Sequence, residues 1–205
     1  MECPRYRDVF HRTACAVPLL IQRPPASSRR RIGSLACSNR TIGHANDTMH
    51  VMNDHEYDMR RAIELAANVP DFPFGALIVH RDSGKILAEG WNKSSINPTF
   101  HGEMDAINQL VLYSPRISSD QLALYTTAEP CPMCQGAILW TGIQMVVFGT
   151  SIRSLQKMGW RQIDILAEEV VRRSPGWKCT ITGGVLEHDC DTLFALAISR
   201  RNDRK

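Results

Sequence analysis

The segment Thr126-Thr-Ala-Glu-Pro-Cys-Pro-Met-Cys134 determines how this chain is interpreted, together with His101-Gly-Glu103 upstream of it. The two segments supply one imidazole, two thiols and one further carboxylate. Catalytic zinc sites use three protein ligands and keep a fourth position open, whereas structural zinc sites are closed by four protein ligands. The residue types therefore predict a zinc site with an open position.

The spacing within each segment indicates how these side chains could meet. If Pro132 opens a helix, Cys131 and Cys134 face the same way and can bind one metal ion. The positive end of that helix also favours thiolate over thiol. His101 and Glu103 are only two positions apart, so they can share a site only where a helix begins. With the imidazole and both thiols as ligands, Glu103 stays unbound and can accept a proton and return it to a leaving group.

The cysteine pair alone has other interpretations. A lone Cys-x-x-Cys is compatible with a redox pair or with half of a structural zinc cluster. Such a cluster needs a second cysteine pair or a Cys-His cluster, and the sequence contains neither. His-x-Glu is common by chance, but His-x-Glu followed by Pro-Cys-x-x-Cys is the signature of zinc-dependent nucleobase deaminases. The joint pattern therefore favours the catalytic interpretation.

Five segments of the chain resemble the cytidine and nucleobase deaminase superfamily. The resemblance is to the branch that holds bacterial guanine deaminases, plant-type guanosine deaminases and tRNA adenosine deaminases. The matching segments are residues 74–79, 90–92, 97–103, 124–134 and 146–149. The resemblance implies a three-layer α/β/α sandwich with a mixed five-stranded sheet, one Zn²⁺ per chain and a homodimer.

The resemblance also implies substrate contacts. The loop asparagine of the family aligns with Asn92, and backbone groups near Ala76 and Cys131 are expected to orient the base. Trp160 is a candidate stacking surface for a base, and ordinary packing would explain it equally well. Similar guanine deaminases carry a Gly-Phe-Asp-Asp run where this chain has Gly159-Trp-Arg-Gln162, and this difference puts guanine itself in question.

We expect a hydrolytic deaminase with Glu103 as its catalytic acid and base. A purine-type base or nucleoside, guanine-like first, is favoured by the modest net charge of +3 and by the sequence Ala128-Glu-Pro-Cys-Pro-Met-Cys134. The basic tail, residues 200–205, favours the alternative of a wobble adenosine in tRNA, although solvated terminal residues are the simpler interpretation. A second alternative is a zinc-stabilised binding module without catalysis. The intact Glu103 argues against it.

Composition indicates one soluble globular domain with an appendage. The chain has 205 residues, of which 43% are hydrophobic and 22% charged. Seven cysteines without a framework fit a reducing compartment, and no apolar run approaches the roughly 20 residues that span a membrane. We expect a cytoplasmic protein with its deaminase domain over residues 52–205.

The N-terminal part of the chain differs in composition. Residues 1–48 hold eight arginines, no lysine and three acidic residues, which predicts disorder through residues 1–51. An organelle transit peptide has this composition. Alternatively, translation begins at Met49 or Met52, close to where the family resemblance begins.

Hydrophobic periodicity predicts helices and strands that alternate along the chain, as in an α/β sheet faced by helices. The predicted helices cover residues 56–68, the segment that His101 opens, residues 132–142, 166–173 and 187–199. The predicted strands cover residues 75–80, 85–89, 122–126, 145–148 and 179–182.

Four further residues have less specific interpretations. Asp105 could brace a metal ligand or stabilise the start of its own helix through the helix dipole. Glu129 could be catalytic or a structural carboxylate near a helix start. Cys179 and Cys190 are expected to be buried apolar residues.

Overall fold

Helices and strands alternate along residues 55–113 and 118–204, the part of the chain described by a computed structural model. The strands are β1 (Gly75–His80), β2 (Ile86–Trp91), β3 (Leu122–Ala128), β4 (Met145–Thr150) and β5 (Thr180–Thr182). The helices are α1 (His55–Ala66), α2 (Gly102–Tyr113), α3 (Pro132–Thr141), α4 (Ile152–Lys157), α5 (Ala167–Arg172) and α6 (Glu187–Asn202). The predictions for residues 1–51 lie outside the described residues. None of the described helices has the length and apolar character needed to cross a membrane.

The five strands form one mixed sheet in the order β2-β1-β3-β4-β5. Strand β1 pairs antiparallel with β2 and with β3, whereas β3, β4 and β5 run parallel. Parallel neighbours require a crossover connection. Helix α3 supplies it between β3 and β4, and α4 and α5 lie between β4 and β5 in the chain. The predicted mixed five-stranded sheet is confirmed.

Side chains alternate between the two faces of the sheet, so each face has its own core. The cluster under α2 and α3 contains Ala76, Ile78, Ala88, Ala106, Ile107, Leu110, Leu122, Leu124, Ile138, Ile143 and Val146. The cluster under α1 and the start of α6 contains Met59, Ala62, Leu65, Leu77, Val79, Ala123, Tyr125, Val147 and Cys190. Helices on both faces make the predicted three-layer sandwich.

One helix was not predicted from the sequence. Helix α4 is six residues long, and Ser151 caps it by accepting a hydrogen bond from the backbone N–H of Ser154 at 3.0 Å. Strand β2 also continues through Trp91, beyond the predicted end at residue 89. Helix α4 is too short to show clear hydrophobic periodicity. Its N-cap serine is therefore the main signal of this helix in the sequence.

The basic tail was interpreted as solvated, and its arginines are exposed, although two of them also make polar contacts with the rest of the protein. Helix α6 continues to Asn202, so Arg200 and Arg201 belong to its last turn. Arg200 Nη1 donates a hydrogen bond to the carbonyl oxygen of Pro70 at 3.1 Å, and Arg204 pairs with Asp71. The tail therefore packs along the segment that joins α1 to β1.

The two C-terminal cysteines differ in burial. Cys190 is fully buried, as predicted, against Gly149 of β4. The prediction was wrong for Cys179, which is only partly buried because it precedes β5, an edge strand of the sheet. Its sulfur lies 3.7 Å from Nε2 of Gln135 in α3.

Helix α2 lies directly on the backbone of β2, and Gly90 makes this approach possible. A Cβ atom at Gly90 would lie 2.4 Å from the backbone nitrogen of Ala106 and 2.5 Å from the carbonyl oxygen of Gly102. Both atoms belong to the backbone of α2, so neither can move without moving the helix. Gly90 therefore sets the position of the first turn of α2.

We predict that Gly90→Ala lowers the free energy of unfolding by about 1–3 kcal/mol, because the added methyl group overpacks the contact between α2 and β2. Denaturant titration measures the change. The matched control is Gly136→Ala in α3, where nothing lies within 4 Å of the new Cβ atom. That variant should gain about 0.5–1 kcal/mol from helix propensity. Equal stability of the two variants would contradict the close approach at Gly90.

Candidate active site

Two helices begin beside each other and bring the predicted ligands together. His101 immediately precedes α2, and Cys131 is the N-cap residue of α3, with Pro132 in the first helical position. Cys134 lies one turn into α3 and is fully buried. Proline suits this position because its missing N–H would have no partner there. The predicted helix starts at both segments are confirmed.

His101, Cys131 and Cys134 form a cluster with the spacing of a zinc site. The Nδ1 atom of His101 lies 3.6 Å from each of the two sulfur atoms. All three potential ligand atoms lie within 4.8 Å of one another. Around a tetrahedral zinc ion with Zn–S of about 2.3 Å and Zn–N of about 2.0 Å, sulfur and nitrogen are separated by about 3.5 Å. Both nitrogen–sulfur distances therefore match a zinc site.

The cluster also concentrates negative charge. A hydrogen bond with the Cys134 thiol, supported by His101, lowers the pKa of Cys131 to about 4. The pKa of Cys134 is raised, chiefly by the same hydrogen bond to Cys131. The pKa of His101 is raised by its interaction with Cys131. These interactions favour the thiolate form of Cys131, the form that ligates zinc.

Glu103 lies in the first turn of α2 and is only 3% exposed. The hydroxyl group of Thr126 in β3 donates a hydrogen bond to its Oε1 atom at 3.3 Å. The pKa of Glu103 is raised, first by burial and then by the charge of Cys131. A raised pKa favours the protonated form of a carboxyl group, which suits a group that must return a proton to a leaving group.

A cavity of about 280 Å³ opens onto this cluster. His101, Glu103 and Cys131 line it, and the rings of Phe74 and Trp160 form part of its wall. The other lining residues are Phe72, Asn92, Ser94, Glu129, Gly159, Arg161, Gln162 and Arg201. Its volume lies at the lower end of the roughly 300–1,000 Å³ that is usual for ligand pockets. It suits a ligand with a small, flat ring system.

Asn92 lines the cavity and is held there by its own loop. Its backbone N–H donates to the carbonyl oxygen of Phe74 at 2.9 Å. Its Oδ1 atom accepts hydrogen bonds from the backbone N–H of Ser94 at 3.0 Å and from the hydroxyl of Ser94 at 2.7 Å. With the oxygen occupied, the side chain offers its amide N–H groups to a ligand. A substrate contact by Asn92 stays a prediction.

Ala76 and Trp160 are the other two residues with predicted substrate contacts. Ala76 is fully buried in β1 and is not among the residues that line the cavity, so only its backbone could take part. Trp160 is 6% exposed, and its Nε1 donates to the carbonyl oxygen of Phe194 at 3.3 Å. Its ring packs edge-on against Phe74 and Phe194, with centroids 5.4 and 5.6 Å away. Packing accounts for Trp160, and stacking on a base stays a prediction.

Glu129 joins the starts of two helices. Its side chain is buried, and its oxygen atoms accept hydrogen bonds from the backbone N–H groups of Ile152 at 2.9 Å and Ala167 at 2.8 Å. These are the first residues of α4 and α5. Glu129 therefore has a structural role at helix starts, and it fixes both ends of the segment that contains residues 159–162.

Asp105 is buried and braces a loop. It accepts hydrogen bonds from Lys93 Nζ at 2.8 Å and from the backbone N–H of Trp91 at 3.2 Å. It therefore holds the chain on either side of Asn92. Neither sequence interpretation of Asp105 included this contact, because a pattern within one helix carries no information about a neighbouring loop.

Several lining residues were not identified as site residues from the sequence, and two of them are arginines. Arg161 follows Trp160, and Arg201 comes from the far end of the chain. The guanidinium carbon of Arg201 lies 5.1 Å from the ring centroids of both Phe72 and Trp160. The basic composition of the tail was visible in the sequence, but no local pattern connects it to the aromatic residues.

Comparison with known proteins places these residues within a shared region. The Cytidine and deoxycytidylate deaminase zinc-binding region matches residues 52–150, which include the three clustered ligands and Glu103. The chain is 36% identical over 141 residues to guanine deaminase of Bacillus subtilis, covering 63% of this chain and 88% of that protein. It is 32% identical over 152 residues to tRNA-specific adenosine deaminase of Haemophilus influenzae, covering 72% of this chain and 84% of that protein.

A solved structure shares the fold. Guanine deaminase from Nitrosomonas europaea superimposes with a TM-score of 0.60 at 22% sequence identity, over 77% of this chain and 100% of that one. At this identity the likeness concerns the fold alone. It agrees with the mixed sheet and its two helical layers.

We predict that Glu129→Gln destabilises the protein by about 1–3 kcal/mol, because the amide places a donor against one of the two backbone N–H groups that the carboxylate satisfies. Denaturant unfolding and kcat/KM are the measurements, since the segment 159–162 should shift as well. Glu168→Gln, an exposed glutamate of α5, is the matched control and should leave stability within about 0.5 kcal/mol. If both variants were equally stable, Glu129 would not hold the two helices.

Proposed function

The chain belongs to the cytidine and deoxycytidylate deaminase family, and from this premise we propose that it hydrolyses the exocyclic amino group of a purine-type base, free or in a nucleoside, to a carbonyl group with release of ammonia. One observation carries the proposal. The buried carboxyl group of Glu103 lies beside a His-Cys-Cys cluster of zinc spacing, on the same cavity.

The metal-binding residues and Glu103 have separate roles in the proposed reaction. His101, Cys131 and Cys134 would hold the zinc ion, which when bound lowers the pKa of a water molecule at its open position. Glu103 would accept a proton from the attacking water molecule and deliver it to the ring nitrogen next to the amino-bearing carbon, while the water oxygen bonds to that carbon. The remaining hydroxyl proton returns through Glu103 to the amino group, which leaves as ammonia. One carboxyl group thus serves as base and then as acid.

The surroundings of Glu103 support both of its roles. Burial raises its pKa, so the protonated and ionised forms lie closer in free energy at neutral pH than they do for an exposed glutamate. Thr126 donates a hydrogen bond to Oε1 and so helps to orient the carboxyl group. Asn92 and the aromatic wall with Phe74 and Trp160 would hold the base over this carboxyl group.

The substrate is the finer part of the proposal. The guanine deaminase relative favours a guanine-like base, and the tRNA-specific relative supports a wobble adenosine in tRNA as the second candidate. Residues 159–162 line the cavity with Arg161 and Gln162, where similar guanine deaminases carry acids. A binding module without catalysis is the weakest alternative, since it has no use for a buried carboxyl group beside an open metal position. Homodimerisation and a cytoplasmic location stay predictions.

We predict that Glu103→Gln retains zinc and the fold but loses ammonia release by about 10²–10⁴-fold or more, because the amide cannot carry the proton. The assay follows ammonia from guanine, guanosine, adenosine and an anticodon stem-loop, and metal analysis counts zinc per chain.

Cys134→Ser provides the contrasting variant, since it removes a ligand and should lose zinc together with activity. The proposal fails if the zinc-loaded wild type releases no ammonia from any of these substrates. It also fails if Glu103→Gln remains as active as the wild type.

A further inference from the structure

Two cationic side chains line the cavity at its exposed end. Arg161 lies between α4 and α5, and Arg201 lies in the last turn of α6. Both are exposed, whereas Glu103 in the same cavity is 3% exposed. The cavity therefore has a buried carboxyl group at its floor and two guanidinium groups at its rim.

Neither rim arginine is neutralised by an acid. In the described part of the chain, neither Arg161 nor Arg201 forms an ion pair with a carboxylate. The nearby acid Asp71 pairs with Arg204, and this hydrogen bond is the main reason why the pKa of Asp71 is lowered. The other acid that lines the cavity, Glu129, accepts two backbone N–H groups. The positive charge at the rim is thus available to a ligand.

Arg201 is held in an orientation that suits an anion. Its guanidinium carbon lies 5.1 Å from the ring centroids of Phe72 and Trp160. Stacking uses the face of the guanidinium group and leaves the N–H donors along its edge for hydrogen bonds. The indole of Trp160 is itself fixed by its hydrogen bond to the carbonyl oxygen of Phe194. The side chain therefore loses little further freedom when it binds a planar or tetrahedral anion.

We propose that Arg161 and Arg201 bind a phosphate ester carried by the nucleoside whose base enters the cavity, so that the substrate is a purine nucleotide. Guanidinium groups form paired hydrogen bonds with phosphate oxygens. A cavity of about 280 Å³ accommodates the base, and the sugar and phosphate then lie at the rim. The phosphate belongs either to a mononucleotide or to the backbone of an RNA. This inference rests on the proposed function and narrows its substrate class.

The kinetic test compares each nucleoside with its own phosphate ester. The zinc-loaded full chain is assayed with guanosine, guanosine 5′-monophosphate, adenosine, adenosine 5′-monophosphate and an anticodon stem-loop. We expect kcat/KM to be at least about tenfold higher for a phosphate-bearing substrate than for the matching nucleoside. In Arg161→Gln and Arg201→Gln this ratio should fall about tenfold, mainly through KM. Arg153→Gln, an exposed arginine of α4 away from the cavity, should keep the wild-type ratio.

The outcomes separate the two sources of phosphate. A preference for a monophosphate that depends on the rim arginines indicates a mononucleotide, and a preference seen with the stem-loop alone indicates an RNA backbone. The inference is overturned if neither a monophosphate nor the stem-loop is deaminated better than the matching nucleoside. It is also overturned if the rim variants lose the same factor on both, because the arginines would then only support the aromatic wall.

A binding measurement keeps this inference distinct from the proposed function. Zinc-loaded Glu103→Gln is titrated with guanosine 5′-monophosphate and with guanosine, at low and high salt, alone and combined with Arg201→Gln. The phosphate site is supported if the phosphate ester binds more tightly than the nucleoside, if salt weakens this binding, and if Arg201→Gln abolishes the difference. This result would hold even if the wild type released no ammonia. Ammonia release by the wild type with no such difference in kinetics or binding supports deamination and overturns the phosphate site.

Discussion

The site depends on two helices that begin at the same place above one face of the sheet. A helix start is where His101 and Glu103, two residues apart, can both reach one site, and it is also where Cys131 and Cys134 face the same way. The start of α2 is fixed by backbone contact, since a Cβ atom at Gly102 would lie 2.8 Å from the carbonyl oxygen of Phe74. The metal cluster is therefore built into the packing of α2 on the sheet.

Two buried carboxylates connect the start of α2 and the segment before α3 to the walls of the cavity through hydrogen bonds. Glu129 comes just before the ligand Cys131 and binds the first N–H groups of α4 and α5. Asp105 lies one turn after His101 and binds the loop around Asn92. Each acid is a near neighbour of a predicted metal ligand in sequence, so the segments that carry these ligands are also hydrogen-bonded to the cavity wall. A change in the cavity wall is therefore expected to disturb the cluster, and the reverse also holds.

Local patterns made the ligands and the sheet predictable. Pro132 directly after Cys131 indicates a helix start, and short apolar runs identify strands such as β1 and β3, because each signal lies within a few residues. The contacts that were missed join distant segments. Glu129 reaches Ala167, and Arg201 reaches Phe72, so no periodicity within one element reports them. Helix α4 was missed because six residues carry too little pattern to distinguish them from a loop.

The charges of the cavity are arranged along its depth, and this arrangement orients a ligand. A zinc ion with two thiolates is neutral in sum, so Glu103 leaves the floor neutral or negative according to its protonation. The rim carries the two positive charges of Arg161 and Arg201. An anionic group is therefore repelled by an ionised floor and attracted by the rim, whereas an uncharged aromatic base meets no such barrier. Because the interior screens charge less than bulk water does, this difference acts over the few ångströms that separate a base from its phosphate. The proposed phosphate site therefore places the base of a nucleotide at Glu103 and its phosphate at the two arginines.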